Sequence, residues 1–459
     1  MIIAIIGNGA IGLSIGISLL QKSKDLKVTV FGESRRTGCA SLAAAAMFNS
    51  FCEIEHGTLQ NPLEQRKWIL NKDSNSYWKN YIVYLEMISG IKINHGYGTF
   101  LINNTVSTNI EDENYNSIIE ALKIYNEPHE NVNPKNIPNY YPKPNKRSNR
   151  ATYIPNEGWI NPFDLISASE STFLKLGGFL IQKDINEIRW ENEQSVNLFF
   201  DNKIDNYDAI VISNGANSTN LIKQLPIGNC IPRIFYGVGG TIQIKSDEIT
   251  QPNCIRTPNR GLACGLYSAP QSSTVTVVGA SNVILPTPEN SIRVTSEYTL
   301  LKSCMEQLNY KLYNKQHVGT NVGWRPTSED TFPILGPTSL KNVFIASGTK
   351  RDGLHMSPII GDKMSDTILT GKNNFDDLFI PERKPIRHLT REQSIDKYTH
   401  QMIDAMFQHD YNPSFDKSLE QLENQFRDDI TKLHLHANSD GWGIPIELVG
   451  LFRYKHIVW

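Results

Sequence analysis

A short apolar run followed at once by three spaced glycines constrains the fold of this chain more than any other feature. The run IIAII near the N-terminus is typical of a buried parallel strand, and Gly7, Gly9 and Gly12 follow in the spacing G-x-G-x-x-G. The first glycine allows a tight turn, the second lets a pyrophosphate approach the backbone, and the third lets helix and strand pack closely. Ala10 and Ile11 then lie at a helix N-terminus, whose free N–H groups and dipole favour a phosphate.

A second strand and an acidic residue complete a βαβ pattern. LKVTVF follows the helix, and Glu33, with Ser34 beside it, lies about twenty residues after the last glycine, where a carboxylate binds a ribose hydroxyl. The pattern predicts a dinucleotide-binding unit, and at this point both NAD and FAD fit it. The alternative without function is a glycine-rich turn followed by a solvated glutamate.

Composition and charge restrict the classes of partner. The chain has 459 residues, 39% of them hydrophobic, and a net charge of −2. Because it has no dense basic run, we expect small molecules rather than nucleic acid as partners. The apolar N-terminal segment has neither a basic start nor a small-residue cleavage site, so we expect no secretory signal and no membrane span. The six cysteines form no C-x-x-C pair, which predicts a cytoplasmic protein with no metal site and no disulfide framework.

From Thr37 onwards the chain resembles a family of flavoenzymes that contains D-amino-acid oxidase, glycine oxidase and the sarcosine oxidases. TGCASLAAAAMF, residues 37–48, is similar to the small-residue stretch that runs under the flavin in that family, and NEGWINPFDLI at 156–166 is similar to its G-x-V-D-P element. Read without the resemblance, the alanines would form a core helix. The resemblance implies FAD contacts from this stretch and from two later strand ends, at Ser41, Ala46, Met47, Ile185, Asn214 and Gly215.

Two further segments are similar to the family's G-x-R-P element and its C-terminal flavin loop. They are VGWRP at 322–326 and GTKRDGLHMSPIIG at 348–361. The following helix would direct its positive end at the flavin, where negative charge develops on reduction. The resemblance implies further cofactor contacts at Arg325, Gly348, Arg351, Asp352, Gly353 and Leu354.

Four residues are candidates for the reaction itself. The resemblance places Arg325 on the substrate carboxylate, a task that suits a bidentate, always-charged guanidinium. It places Tyr267 over the same carboxylate, and Arg351 as a second contact. His355 departs from the family pattern and is a candidate proton acceptor. The alternatives are a surface ion pair for Arg325, an aromatic on a sheet face for Tyr267, a loop brace for Arg351 and a local hydrogen bond for His355.

The resemblance implies oxidation of an amine or amino acid by hydride transfer to flavin N5, with reoxidation by oxygen or another acceptor. FAD is expected to be non-covalent, because no cysteine occupies an evident flavin-attachment position; Cys39 and Cys264 are the only cysteines that need to be checked for attachment. Two other functions stay open: the flavin subunit of a multi-protein dehydrogenase, and a tailoring oxidase that acts on a larger or carrier-bound amine. An NAD-dependent dehydrogenase is disfavoured, since the second glycine-rich loop would have no purpose.

The predicted fold class is α/β plus α+β. A Rossmann-type FAD-binding domain is accompanied by an antiparallel-sheet substrate domain and a C-terminal helical extension. The predicted bounds are 1–55, 151–225 and 325–371 for the FAD-binding domain, 56–150 and 226–324 for the substrate domain, and 372–459 for the extension.

The extension carries two amphipathic helical patterns. One places Ile395, Tyr398, Met402 and Met406 on one face, and the second runs from Phe415 through Leu433. These faces need a surface to cover them. We expect them to pack on the body of the chain or on a second copy, with docking of a foreign partner as the alternative.

Overall fold

The computed structural model describes residues 1–104, 106, 109–192, 195–200, 203–246, 251–261, 265–408, 410–411 and 416–457. Cys264 and Phe415 lie outside the described residues. The strands are β1 Ile2–Ile6, β2 Lys27–Phe31, β3 Met47–Phe48, β4 His95–Asn104, β5 Glu130–Val132, β6 Ser148–Ile160, β7 Phe179–Ile181, β8 Glu187–Asn192, β9 Ser195–Phe200, β10 Lys203–Tyr207, β11 Ala209–Ile212, β12 Ile234–Lys245, β13 Cys254–Arg256, β14 Tyr267–Pro270, β15 Val275–Gly279, β16 Val283–Leu285, β17 Gln316–Ser328, β18 Ile334–Pro337 and β19 Val343–Ser347. The α-helices are α1 Ala10–Lys22, α2 Ala40–Ala43, α3 Pro62–Ser89, α4 Asn109–Ile124, α5 Pro162–Lys175, α6 Ser218–Ile222, α7 Val294–Ser303, α8 Ser357–Thr370, α9 Arg391–Gln408, α10 Asp416–His436 and α11 Val449–Arg453.

A six-stranded sheet in the order β18-β19-β11-β1-β2-β7 forms the nucleotide-binding half of the fold. Its strands β19, β11, β1, β2 and β7 are parallel, and β18 joins the edge antiparallel. The central strand β1 is apolar on both faces, and Ile3, Ala4 and Ile5 are fully buried, as expected for a parallel sheet covered on both sides. The predicted fold class is therefore observed.

Helix α1 approaches β1 more closely than any residue but glycine permits. A Cβ added at Gly12 would lie 1.9 Å from the carbonyl oxygen of Gly7. Gly7 itself has φ +123°, a backbone conformation that side chains rarely adopt. The glycines therefore fix the N-terminus of α1 at the carboxyl edge of the sheet.

A second sheet of ten strands lies beside this half, with the path β16-β12-β15-β14-β13-β4-β6-β3 and with β17 and β5 paired to β12 and β6. Except for the parallel pair β4 and β13, its neighbours are antiparallel. Strands β6 and β17 each continue in this sheet past the predicted boundaries at 150/151 and 324/325. The chain therefore returns to the nucleotide-binding half later than predicted, because both long strands keep their ladder partners to Ile160 and Ser328.

The C-terminal extension packs on the body of its own chain. Its helices α9 and α10 form a hydrophobic cluster with Trp442 and Leu448, and this cluster also contains Phe235 of β12 and Ile284 of β16. The predicted face of α9 contributes Ile395, Tyr398 and Met402 to the cluster. None of the described helices is long and apolar enough to cross a membrane.

We expect Gly12→Ala to lower the free energy of unfolding by about 3 kcal/mol, because the new methyl group would overlap the Gly7 carbonyl. Gly450→Ala is the matched control: it lies in α11 with open space around its α-carbon, so alanine should change stability by less than about 1 kcal/mol. Urea denaturation of both variants measures the difference. Equal stability of the two variants would contradict the packing described here.

Candidate active site

A cavity of about 400 Å³, the first cavity, lies at the carboxyl edge of the six-stranded sheet. It is bounded by the N-terminus of α1, the turn after β2, the end of β11 and the loop that precedes α8. Thirteen of the predicted site residues line it: Gly7, Gly9, Ala10, Ile11, Glu33, Ser41, Ile185, Asn214, Gly215, Arg325, Arg351, Gly353 and Leu354. The topology brings them together because the ends of parallel strands meet at one edge.

The middle of the first cavity is built from backbone and small side chains. The N–H of Ala10 donates to Ser41 Oγ at 3.2 Å, which ties α2 to the N-terminus of α1. The side chain of Asn8 donates to the carbonyl of Glu33 at 3.0 Å and so holds the turn after β2. The N-terminus of α1 thus lies beside a hydroxyl group, an arrangement that suits a pyrophosphate.

Six predicted cofactor residues do not line the first cavity. Gly12 packs on Gly7 instead, and Ser34 is exposed to solvent. Ala46 and Met47 lie beyond the cavity because α2 ends at Ala43 and the backbone then becomes extended. Gly348 and Asp352 face a different cavity, described below.

Sequence reasoning missed several lining residues that lie close to the predicted ones. Arg36 donates to the carbonyl of Asn8 at 3.3 Å and forms an ion pair with Glu170. The sequence pattern that could have identified Arg36 is its place as the second arginine of GESRR, shortly after the predicted ribose-binding residue. Trp324 and Lys350 also line the cavity, each next to an arginine that was selected.

The Arg325 guanidinium lies in the wall of the first cavity, against the backbone of β12. Its Nη1 donates to the carbonyl of Ser281 at 2.9 Å and to Asn282 Oδ1 at 3.1 Å. A Cβ at Gly239 would lie 1.9 Å from the same Nη1, so this glycine makes the room for the arginine. No carboxylate among the described residues forms an ion pair with Arg325, which excludes the surface ion pair within that part of the chain.

Two of the candidate catalytic residues lie away from the cavities. Tyr267 is buried in a cluster with Ala45 and Trp159, and its ring packs against Gly279. His355 is 4% exposed. It accepts from Trp78 Nε1 through Nδ1 at 3.1 Å and donates from Nε2 to the carbonyl of Asn71 at 2.9 Å.

His355 is therefore a neutral histidine held by its own chain. Burial lowers the pKa of His355 to about 4. Both ring nitrogens have partners and neither cavity includes the ring. The catalytic role predicted for His355 has no support in this position, because helix α3 covers the ring. The observed contacts of His355 correspond to the alternative, a local hydrogen bond.

A second cavity, of about 540 Å³, adjoins the first. The two share Thr349, Lys350 and Arg351. The other walls of the second cavity are formed mainly by residues 53–58, helices α3, α4 and α9, and residues 445–447. The C-terminal extension thus closes one side of it.

The loop from Thr349 to Arg351, the shared loop, is connected by ion pairs to both sides of the second cavity. Arg351 Nε lies 3.2 Å from Glu53 Oε2, and Glu53 Oε1 accepts from Nη1 of the fully buried Arg256 at 2.6 Å. Lys350 pairs with Glu447 at 2.5 Å. Lys397 of α9 pairs with Glu55 at 2.5 Å.

The pKa values of the paired carboxyl groups Glu53 and Glu55 are lowered, whereas the pKa of Asp352 is raised. Burial alone would raise the pKa of Glu53 and of Glu55, but their cationic partners outweigh it and hold each pKa at about 2. Burial and the neighbouring Glu53 raise the pKa of Asp352 to about 6. Within the described part of the chain, the Asp352 carboxyl group forms no ion pair.

Comparison with known proteins identifies the family and the fold of the chain. The family described as FAD dependent oxidoreductase matches residues 3–367. The structure is similar to glycine oxidase from Geobacillus kaustophilus, at 21% identity and a TM-score of 0.72 over 83% of this chain and 98% of that one. It is similar to glycine oxidase from Bacillus cereus, at 20% identity and a TM-score of 0.70 over 84% and 99%. For iminodiacetate oxidase from Chelativorans the values are 16% identity and a TM-score of 0.71 over 84% and 100%. No curated protein matches the chain.

We expect the free energy of unfolding to fall as the pH drops from about 6.5 towards 4, because the unfolded chain binds a proton at His355 before the folded chain does. The contribution of His355 is present above pH 6.5, is lost progressively on acidification and amounts to at most about 3 kcal/mol. In His355→Gln, whose amide keeps a donor and an acceptor, the pH dependence should weaken. Urea denaturation between pH 7.5 and pH 4.5 measures it, with the exposed His436→Gln as control; identical slopes in the two variants would contradict the prediction.

Proposed function

The chain belongs to the FAD dependent oxidoreductase family and is an oxidoreductase that uses FAD, and from this premise we propose that it oxidises the carbon–nitrogen bond of an amino acid or a related amine. The similar solved structures include glycine oxidase and iminodiacetate oxidase, whose names both describe the oxidation of an amino acid or an imino acid. The fold alone is shared at such identities. The proposal therefore depends on the chemistry of the site.

The lining of the first cavity fits FAD. Glu33 and Ile185 at one end suit the adenosine part, since a carboxylate there can accept from ribose hydroxyls. In the middle, Gly9, Ser41 and the N-terminus of α1 suit the pyrophosphate. At the far end Gly353 and Leu354, directly before α8, suit the flavin ring. We propose that these residues bind FAD without a covalent bond.

When bound, FAD would supply the acceptor for a hydride from the carbon that bears the amine, and hydrolysis of the resulting imine would release a carbonyl compound with ammonia, or with an amine where the nitrogen carries a second substituent. The chain contributes binding and orientation. Helix α8 begins next to Leu354 with its positive end towards the shared loop, which favours negative charge at that end of the cavity. Arg325 and Arg351 both line the first cavity and supply guanidinium groups to it.

The observation that carries the proposal is the position of Arg325. A guanidinium in a cavity wall, held by two neutral acceptors and without an ion-paired carboxylate among the described residues, retains N–H donors for a planar anion. An amino-acid carboxylate is such an anion. Binding it there would orient the substrate beside the flavin end of the cavity.

The second cavity supports one other possibility, an amine larger than a simple amino acid. A volume of about 540 Å³ next to the shared loop lies in the range of pockets that enclose drug-sized ligands. By contrast, the extension, which would be the docking element of a dehydrogenase subunit, covers its apolar face on its own chain. We therefore retain the larger amine as the second candidate.

The proposal is tested by anaerobic absorbance titration of the FAD-loaded protein with glycine, sarcosine, proline and D- and L-amino acids. Bleaching of the oxidised-flavin band by any of these amines is the expected result, and return of the band in air with peroxide release would identify an oxidase. Return only with an added electron acceptor would identify a dehydrogenase. A band that neither these nor longer amines bleach would overturn the proposal.

For any amino acid that is turned over, we expect Arg325→Lys to lower kcat/KM about 10- to 100-fold, because an ammonium cannot reproduce the bidentate contact. The loss should appear mainly in KM if the carboxylate is bound equally in the ground and transition states. Arg189→Lys, on the separate sheet β8-β9-β10, is the control. Unchanged kinetics in Arg325→Lys with retained FAD would show that Arg325 does not bind the carboxylate.

A further inference from the structure

The second cavity is the strongest feature that the family match does not explain. The match ends at residue 367, whereas α9 and residues 445–447 form one wall of the cavity. The shared loop, Thr349 to Arg351, separates this wall from the flavin end of the first cavity. The second cavity is therefore adjacent to the end of the first cavity where the flavin ring is proposed to bind, and the extension closes one side of it.

The lining of the second cavity contains more acidic than basic side chains. Among the described residues, seven carboxylates and four lysine or arginine side chains line the second cavity. Most of these carboxylates are paired, two of them with arginines behind the wall, Arg256 and Arg427. The carboxylate of Asp352 makes no hydrogen bond or ion pair with described residues, although it lies next to the shared loop. Its charge is available to a cation in the chamber.

The lining also has unused hydrogen-bond acceptors. Asn71 Oδ1, Glu447 Oε2 and Thr349 Oγ1 have no hydrogen-bond partner among the described residues, and Asn71 and Thr349 are only 4% and 2% exposed. The Nδ1 of His388 has no partner either, and its Nε2 lies 3.2 Å from Glu64 Oε1.

The protonation of His388 makes its unused atom an acceptor as well. Burial lowers the pKa of His388 to about 4, so at neutral pH the ring is neutral and its one N–H is the Nε2 that donates to Glu64. Three of the four unused atoms can therefore only accept, and the hydroxyl of Thr349 can also accept. All four residues line the second cavity, so the unused atoms are acceptors near a space that a ligand with N–H donors could occupy.

We propose that the second cavity is a subsite for a second cationic group of the substrate, an ammonium or guanidinium, and that Asp352 and the extension residue Glu447 recognise it. The inference rests on the proposed function and names its substrate class as basic amino acids or diamines. The reacting amine would lie at the flavin end, and the chain of the substrate would pass the shared loop. The extension thereby takes part in substrate selection.

The experiment compares matched substrates with the FAD-loaded full chain. D- and L-lysine are compared with D- and L-2-aminoheptanoate, in which a methyl group replaces the ammonium. 1,5-Diaminopentane and hexylamine form the same pair without a carboxylate. We expect kcat/KM to favour the cationic member of at least one pair by about tenfold or more. The pair that shows it distinguishes basic amino acids from diamines.

Two variants locate the subsite. Asp352→Asn and Glu447→Gln keep shape and remove charge, and we expect each to lower the cationic-to-neutral ratio of kcat/KM about fivefold or more. Any loss of folded or FAD-loaded protein lowers kcat/KM equally for both substrates and leaves their ratio unchanged, because both substrates are assayed with the same preparation. Glu392→Gln, an exposed residue of α9 outside both cavities, is the control and should keep the ratio.

The outcomes separate this inference from the function on which it rests. Oxidation of amines without preference for the cationic member would overturn the subsite and leave amine oxidation standing. A cationic preference that survives both variants would overturn its location. A flavin that no amine reduces would overturn both proposals.

Discussion

The contact between Gly12 and the carbonyl of Gly7 is the constraint on which the rest of the site depends. It draws α1 against β1 until no side chain fits between them, and so places a helix N-terminus at the carboxyl edge of the sheet. The ends of β2 and β11 meet at the same edge, because the strands are parallel and adjacent to β1. The turn that carries Glu33 and the turn that carries Asn214 therefore open into one cavity.

A network of buried charges forms the other constraint. It runs from Arg256 through Glu53 to Arg351, while the neighbouring Lys350 reaches Glu447 of the extension. Removal of one member would leave a charge in a poorly solvated place, which costs more than the pair contributes. The loop before α8 is thus held between the second sheet and the extension. This arrangement connects the extension to the part of the site where we propose that the flavin ring binds.

The elements that could be predicted from the sequence are those encoded by patterns of neighbouring residues. The strand, turn and helix around Gly7 and the loop around Gly353 are each encoded within about a dozen residues, and most, though not all, of the residues predicted there line the first cavity. Contacts between distant segments could not be predicted in this way. His355 was selected for its position in the loop, yet Trp78, 277 residues earlier, decides its environment. The pair of Lys397 with Glu55 spans 342 residues and leaves no local pattern. The alanine stretch likewise forms only one turn of helix, since the backbone becomes extended at Ala44, and Ala46 then adopts φ +51°.

The most direct test of this account is a crystal structure of the FAD-loaded protein with α-methyl-lysine, an amine that has no α C–H bond to lose. The account predicts FAD along the first cavity with its flavin ring near Gly353, and the side-chain ammonium of the ligand in the second cavity beside Asp352. FAD that extends through both cavities, or a ligand ammonium remote from Asp352 and Glu447, would contradict it.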